Sequence, residues 1–141
     1  MQTALSLPKK RLPTPNNVFT VPFGSELDFF KWWCVFLRPF VKLTDREVEI
    51  IAHFLKERRR LSQVISDPAV LDTQLMGAST LEKIIKECNI TKAHFYVLMS
   101  HLREHNIISK TGINPRLIPN IRVDDKGTFQ LLVLFKEKEE A

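Results

Sequence analysis

Between residues 25 and 105 the apolar positions recur at a period of about 3.6, and beyond residue 107 they fall into short extended runs. Ser25 can cap a helix over SELDFFKWWCVFLRPF that Arg38-Pro39 ends. Thr44-Asp45-Arg46-Glu47 has the spacing of a capping box, and Val48, Ile51, Ala52 and Leu55 carry the following helix to about Arg60. Ser66-Asp67-Pro68 supplies a cap with proline at the first helical position and predicts a short helix to about Met76, broken by Gly77. Ser79-Thr80-Leu81-Glu82 has capping-box spacing again, with Leu81, Ile84, Ile85 and Cys88 as the buried stripe. Asn89 tolerates a left-handed turn, and Thr91 caps a helix through about His105. Ile107-Ile108 then reads as a strand. The segments Ile121-Arg122-Val123 and 128–135 read as a hairpin across Asp124-Asp125-Lys126-Gly127. The expected class is α+β, mainly α with a small β-hairpin.

Two segments carry more apolar character than one domain core needs. Six of the thirteen aromatic residues lie between 29 and 40, and Phe29, Trp32, Trp33 and Phe36 share one stripe at helical spacing while Phe30, Val35 and Leu37 fall off it. A helix apolar on more than one face is either buried in a small domain or part of an interface between subunits. Residues 1–24 hold Pro8, Pro13, Pro15 and Pro22, so they are expected to form an extended arm. In that arm Val18, Phe19, Val21 and Phe23 alternate with polar or proline positions. It docks either on its own domain, residues 25–141, or on a neighbouring subunit.

Charge narrows the function classes. Of the 21 basic residues, Lys9, Lys10 and Arg11 sit in an arm with no acid, and the rest of the chain balances 18 basic against 16 acidic side chains. A body that neutralises many phosphates is locally far more basic. Arg58-Arg59-Arg60 suits a helix C-terminus on dipole grounds alone, with phosphate or an acidic partner as the other reading. No apolar run approaches the ~18 residues of a membrane span, and the first residues lack a secretory pattern, so an intracellular protein is expected. Cys34 and Cys88 read as core residues of a reducing compartment. Catalytic chemistry is thin: the four glycines do not cluster, and no nucleophile elbow or Cys/His pair stands out. His101-Leu102-Arg103-Glu104-His105 matches H-x-x-E-H but lacks a third ligand. His53 and His94 stand alone. No metal, cofactor or enzyme activity is expected.

The remaining candidate is the helix over 92–105. With Phe95, Leu98 and Leu102 inward, its outer face presents Lys92, His94, Tyr96, Val97, Ser100 and Arg103. Tyr96, Val97 and Met99 offer apolar area suited to protein contact, and Asp124 and Asp125 at the hairpin turn repel phosphate. Arg122 and Lys126 compensate in part.

Residues 79–108 resemble winged helix-turn-helix proteins of the MarR-like kind. Leu81, Ile84, Ile90, Thr91, Leu98, Leu102, Ile107 and Ile108 stand where that pattern takes apolar or cap residues. Ile85 departs from its small residue, Asn89 and Asn106 from its glycines, and Val97 from a basic position. The resemblance implies a winged helix-turn-helix core with an extended N-terminal arm, the wing being 121–135. A broader resemblance rests on PTPNNVFTVPFGSELDFFKWW, KLTDRE, KERRRLSQVISD and GINPRLIPNI, which look like small virion proteins of crAss-like tailed phages. That resemblance implies a structural ring or head–tail connector subunit in the portal–tail region of the virion. Its partners would be copies of itself in a cyclic ring and other virion proteins such as the portal. The expected contact residues are Phe19, Phe23, Phe29, Trp32, Trp33, Phe36, Pro115, Leu117 and Ile118, with Trp33→Ala hurting assembly more than folding. The alternative is a MarR-like DNA-binding regulator of the cytoplasm. For it, candidate nucleic-acid contacts are Lys9, Lys10, Arg11, Arg58, Arg59, Arg60, Lys92, Tyr96 and Arg103.

Overall fold

The computed structural model describes residues 21–123, 129–130 and 136–139. The arm's Phe19, Lys9, Lys10 and Arg11, and the hairpin turn with Asp124, Asp125 and Lys126, lie outside the described residues. Five helices follow in order: α1 (Glu26–Leu37), α2 (Asp45–Ser62), α3 (Pro68–Leu75), α4 (Ala78–Glu87) and α5 (Lys92–Glu104). Two antiparallel ladders follow, β1 (Ile108–Ser109) with β2 (Gly112–Ile113), and β3 (Arg122–Val123) with β4 (Phe129–Gln130). The protein is mainly helical with small β-hairpins, as its periodicity predicts.

The helix starts follow the side chains that satisfy their first N–H groups. Ser25 Oγ accepts from Asp28 N, Asp67 from Ala69 N ahead of Pro68, and Thr91 from His94 N. At α2 the capping box closes in both directions: Thr44 Oγ1 accepts from Glu47 N at 3.2 Å, and Glu47 Oε1 accepts from Thr44 N at 2.9 Å. The predicted second box does not form. Gly77 takes an extended conformation and its carbonyl already accepts from Leu81 N, so α4 starts at Ala78 and Ser79 lies inside the helix. Thr80 instead donates its hydroxyl to Gln74 O.

α1 and α2 form an antiparallel pair, tied near the connection by Arg38–Asp45 at 2.6 Å and at the far ends by Arg59–Glu26. α2 is the central element: Ile50, Ile51, Ala52, Phe54 and Leu55 are all buried. α4 runs antiparallel to it. His53 meets Glu87 at 3.1 Å, Glu57 meets Lys83 at 2.9 Å, and Arg46 donates to the Cys88 carbonyl at 3.3 Å. α5 closes the core with Phe95, Leu98, Met99 and Leu102. The inner face is as predicted, except that Met99 is buried and not part of the outer apolar face. The turns before and after α5 place Asn89 and Asn106 at φ 53° and 60°, where asparagine is tolerated better than most side chains.

Two elements differ from expectation. The sequence predicts only a strand at Ile107-Ile108, whereas the β1–β2 hairpin pairs Ile108 with Ile113 and Ser109 with Gly112 across Lys110-Thr111. Gly112 sits at φ 129°, a conformation that only glycine adopts readily. The loop positions themselves, Lys110-Thr111, carry no Asn-Gly or Asp-Gly signal. In addition, the Phe29, Trp32, Trp33 and Phe36 stripe does not act as one face of α1. Phe29, Phe30 and Cys34 are buried, Trp33 and Leu37 half-buried, and Trp32, Val35 and Phe36 point outward. The cause is that α1 packs on two sides, against α2 and against the 3-10 turn Pro115–Leu117, which selects Phe30, Trp33, Cys34 and Leu37 at 3–4 spacing.

Candidate interaction surfaces

The outward side of α1 and the residues just beyond it carry several exposed large apolar side chains. Trp32 is 43 % exposed, Phe36 48 % and Phe40 80 %, and Val35 lies between them. Trp32 and Phe36 are one helical turn apart with ring centroids 6.1 Å apart, so they form one continuous surface. Of the expected contact residues, Trp32 and Phe36 are therefore available. Phe29 is not: it is buried between Phe23 and Phe30, with ring centroids 5.7 and 5.4 Å away. Val35 and Phe40 were missed. Val35 lay off the predicted stripe, and Phe40 follows the helix-ending Arg38-Pro39.

Trp33 is half-buried. Its indole N–H donates to the Leu117 carbonyl at 2.7 Å, so it holds the 115–117 turn against α1. Leu117 is buried beneath that turn, Ile118 half-buried, and only Pro115 of the three loop candidates is exposed. The loop is apolar because it covers α1 and α2. Asn114 fixes its shape, accepting from Arg116 N and donating to the Asn106 carbonyl at 2.9 Å.

The three consecutive arginines have three different surroundings. Arg60 pairs with Glu57 at 2.9 Å and Arg59 with Glu26. Arg58 is half-buried, and its Nε reaches no acceptor although water does not reach it either. Arg58 and Arg59 edge a cavity of about 170 Å³ whose other walls are Phe30, Leu55, Ser62, Ile118, Pro119 and Ile121.

On α5 the outer face is as read from sequence: Lys92, His94, Tyr96, Val97, Ser100 and Arg103 are exposed. Tyr96 packs edge-on against Phe95 with centroids 5.3 Å apart, which aims the phenol outward from the core. Lys92 and Arg103 are eleven residues apart, about 16 Å along the axis. His101 and His105 form no ligand pair with a third group: His105 Nδ1 lies 2.9 Å from the His101 carbonyl, and His101 is 4.0 Å from Glu47. Among the described residues no group of three His, Cys, Asp or Glu side chains could hold a metal, and no helix is long and apolar enough to cross a membrane.

The buried titratable groups are structural. Burial pushes the Cys34 thiol up to about 12 and the Cys88 thiol up to about 11, so neither is a nucleophile at neutral pH. Burial lowers His53 below its ordinary value, with Glu87 opposing the shift. Burial also pushes Glu57 up, but hydrogen bonds and charge from Lys83 and Arg60 outweigh it and hold the carboxyl below the usual range. No family model matches the chain, no curated protein does, and no solved structure does.

Proposed function

We propose that this chain is a structural subunit of a phage virion, in a ring or head–tail connector of the portal–tail region, and that it performs no catalysis. The observation carrying the reading is the outward face of α1, where Trp32, Val35 and Phe36 lie exposed, continued by the exposed Phe40 just beyond the helix. Exposed aromatic area of this kind marks a surface that another chain covers. Such a face is expected in ring subunits, which meet through heterologous contacts that close under cyclic symmetry. The segments resembling crAss-like phage virion proteins supply the virion context, and other virion proteins are the expected neighbours.

Sedimentation velocity and negative-stain microscopy of the full chain test this. The native protein is expected to associate with concentration into closed rings, and the double variant Trp32→Ser/Phe36→Ser to stay folded but monomeric. A native chain monomeric into the millimolar range refutes the reading. The regulator reading draws on the exposed Lys92, His94 and Arg103 of α5. It would gain if duplex DNA binding survived physiological salt and fell on Arg103→Ala, since each phosphate contact adds about 0.9 to the salt slope of log affinity.

A further inference from the structure

The cavity between α1, the C-terminal end of α2 and residues 118–121 has a chemistry that the assembly reading does not use. One wall is apolar: Phe30, Leu55, Ile118, Pro119 and Ile121. The opposite edge is cationic, with Arg58, Arg59 and the hydroxyl of Ser62. Glu26 takes Arg59 and Glu57 takes Arg60, whereas no salt bridge to Arg58 forms among the described residues. The Arg58 Nε–H, shielded from water and lacking an acceptor, is the feature that points to a ligand. A buried donor left unpaired costs about 1–3 kcal/mol, and native structures rarely keep one without a partner.

We infer that this cavity binds an acidic segment of a partner protein chain, with an aromatic or aliphatic side chain against Phe30 and Ile118 and an adjacent carboxylate on Arg58. A carboxylate approaching the guanidinium from the side takes Nε–H and one Nη–H together. The volume of about 170 Å³ suits one large side chain with its carboxylate neighbour, not a folded element. Charge agrees at one position: with Arg59 held by Glu26 and Arg60 by Glu57, Arg58 is the cation lining the cavity that has no acid paired with it among the described residues. The site shares no residue with the outward face of α1, so it stands whether or not the chain forms rings.

The test uses the full chain and two probes, N-acetyl-Phe-Glu-amide and its neutral counterpart N-acetyl-Phe-Gln-amide, in saturation-transfer difference NMR, which works on monomers and large assemblies alike. The Glu peptide is expected to bind at least fivefold more tightly, with the strongest transfer at its phenyl protons. Arg58→Met should abolish that preference, and Arg103→Met, at an exposed cation on another helix, should leave it intact. Arg58→Lys serves as the second variant should the methionine fail to fold, and is expected to weaken the preference because lysine cannot grip a carboxylate with two parallel N–H groups. Equal binding of the two peptides, no transfer from either, or a preference undiminished in the Arg58 variants overturns the inference.

Discussion

Replacing Trp33 separates a residue that holds the fold from one that builds an interface. Its indole N–H donates to the Leu117 carbonyl at 2.7 Å, and its half-buried ring lies on the core. Trp33→Phe removes the donor while keeping an aromatic ring. The lost hydrogen bond costs about 1 kcal/mol, and the smaller ring forfeits roughly 0.5 kcal/mol of apolar burial. Trp33→Ala empties the site, and since the ring is only half-buried the cost falls at the low end of the large-to-small range, about 3 kcal/mol. The assay is urea unfolding followed by far-UV circular dichroism at low protein concentration. With an m-value of about 1.5 kcal/mol per molar, Trp33→Phe should lower the midpoint by about 1 M and Trp33→Ala by about 2 M, with the slope unchanged. Because the turn it anchors carries Ile118 and Pro119, peptide binding at the Arg58 cavity should weaken in parallel. A Trp33→Phe protein unfolding at the native midpoint would refute the reasoning, because the bond would then contribute nothing.

Four further outcomes follow from the buried polar groups and turns. His53 has a folded value below its ordinary 6.5, so the unfolded chain takes up a proton first; stability is full above pH 6.5 and declines as the pH falls below it, a slope that His53→Gln should flatten in thermal melts. Glu57 is likewise held below its ordinary 4.5, so its contribution is present above that value and is lost as the pH falls through the folded pKa, steepening acid unfolding. Both thiols should resist a disulfide reagent at pH 8 in the native protein and titrate fully in denaturant, and a rapidly reacting native thiol would contradict their burial. Asn89→Ala should cost about 1 kcal/mol at φ 53°, whereas Asn89→Gly should be neutral or slightly stabilising, as read from chemical denaturation.

Local hydrogen-bonding chemistry made much of the fold legible. Thr44 with Glu47, Asp67 with Pro68, and Thr91 each name a helix start because the capping side chain sits a fixed few residues from the N–H it satisfies. The spacing of Phe95, Leu98 and Leu102 fixes the inner face of α5 for the same reason. What was not legible depends on long-range contact. Which residues of α1 face inward depends on the turn around Leu117, 84 residues away along the chain from Trp33, and nothing near Trp33 announces it. Ser79 and Glu82 have capping-box spacing, yet Gly77 begins the helix earlier. Of the candidate surfaces, Trp32 and Phe36 could be named from aromatic density, but Val35 and Phe40 could not. Arg58 could be named only as one of three arginines, since its difference from Arg59 and Arg60 lies in which of them finds a carboxylate.

His53 and Glu57 stand one turn apart on α2, and both reach α4, to Glu87 and Lys83. Sliding α4 by a single turn, about 5.4 Å, would strand a buried imidazole and a buried carboxylate together. Apolar contacts alone would tolerate several neighbouring alignments, because one leucine can stand in for another; these two pairs do not. They act as a key in a keyway: two polar pairs, one turn apart, fix the single alignment of α4 along α2 that leaves neither buried group alone.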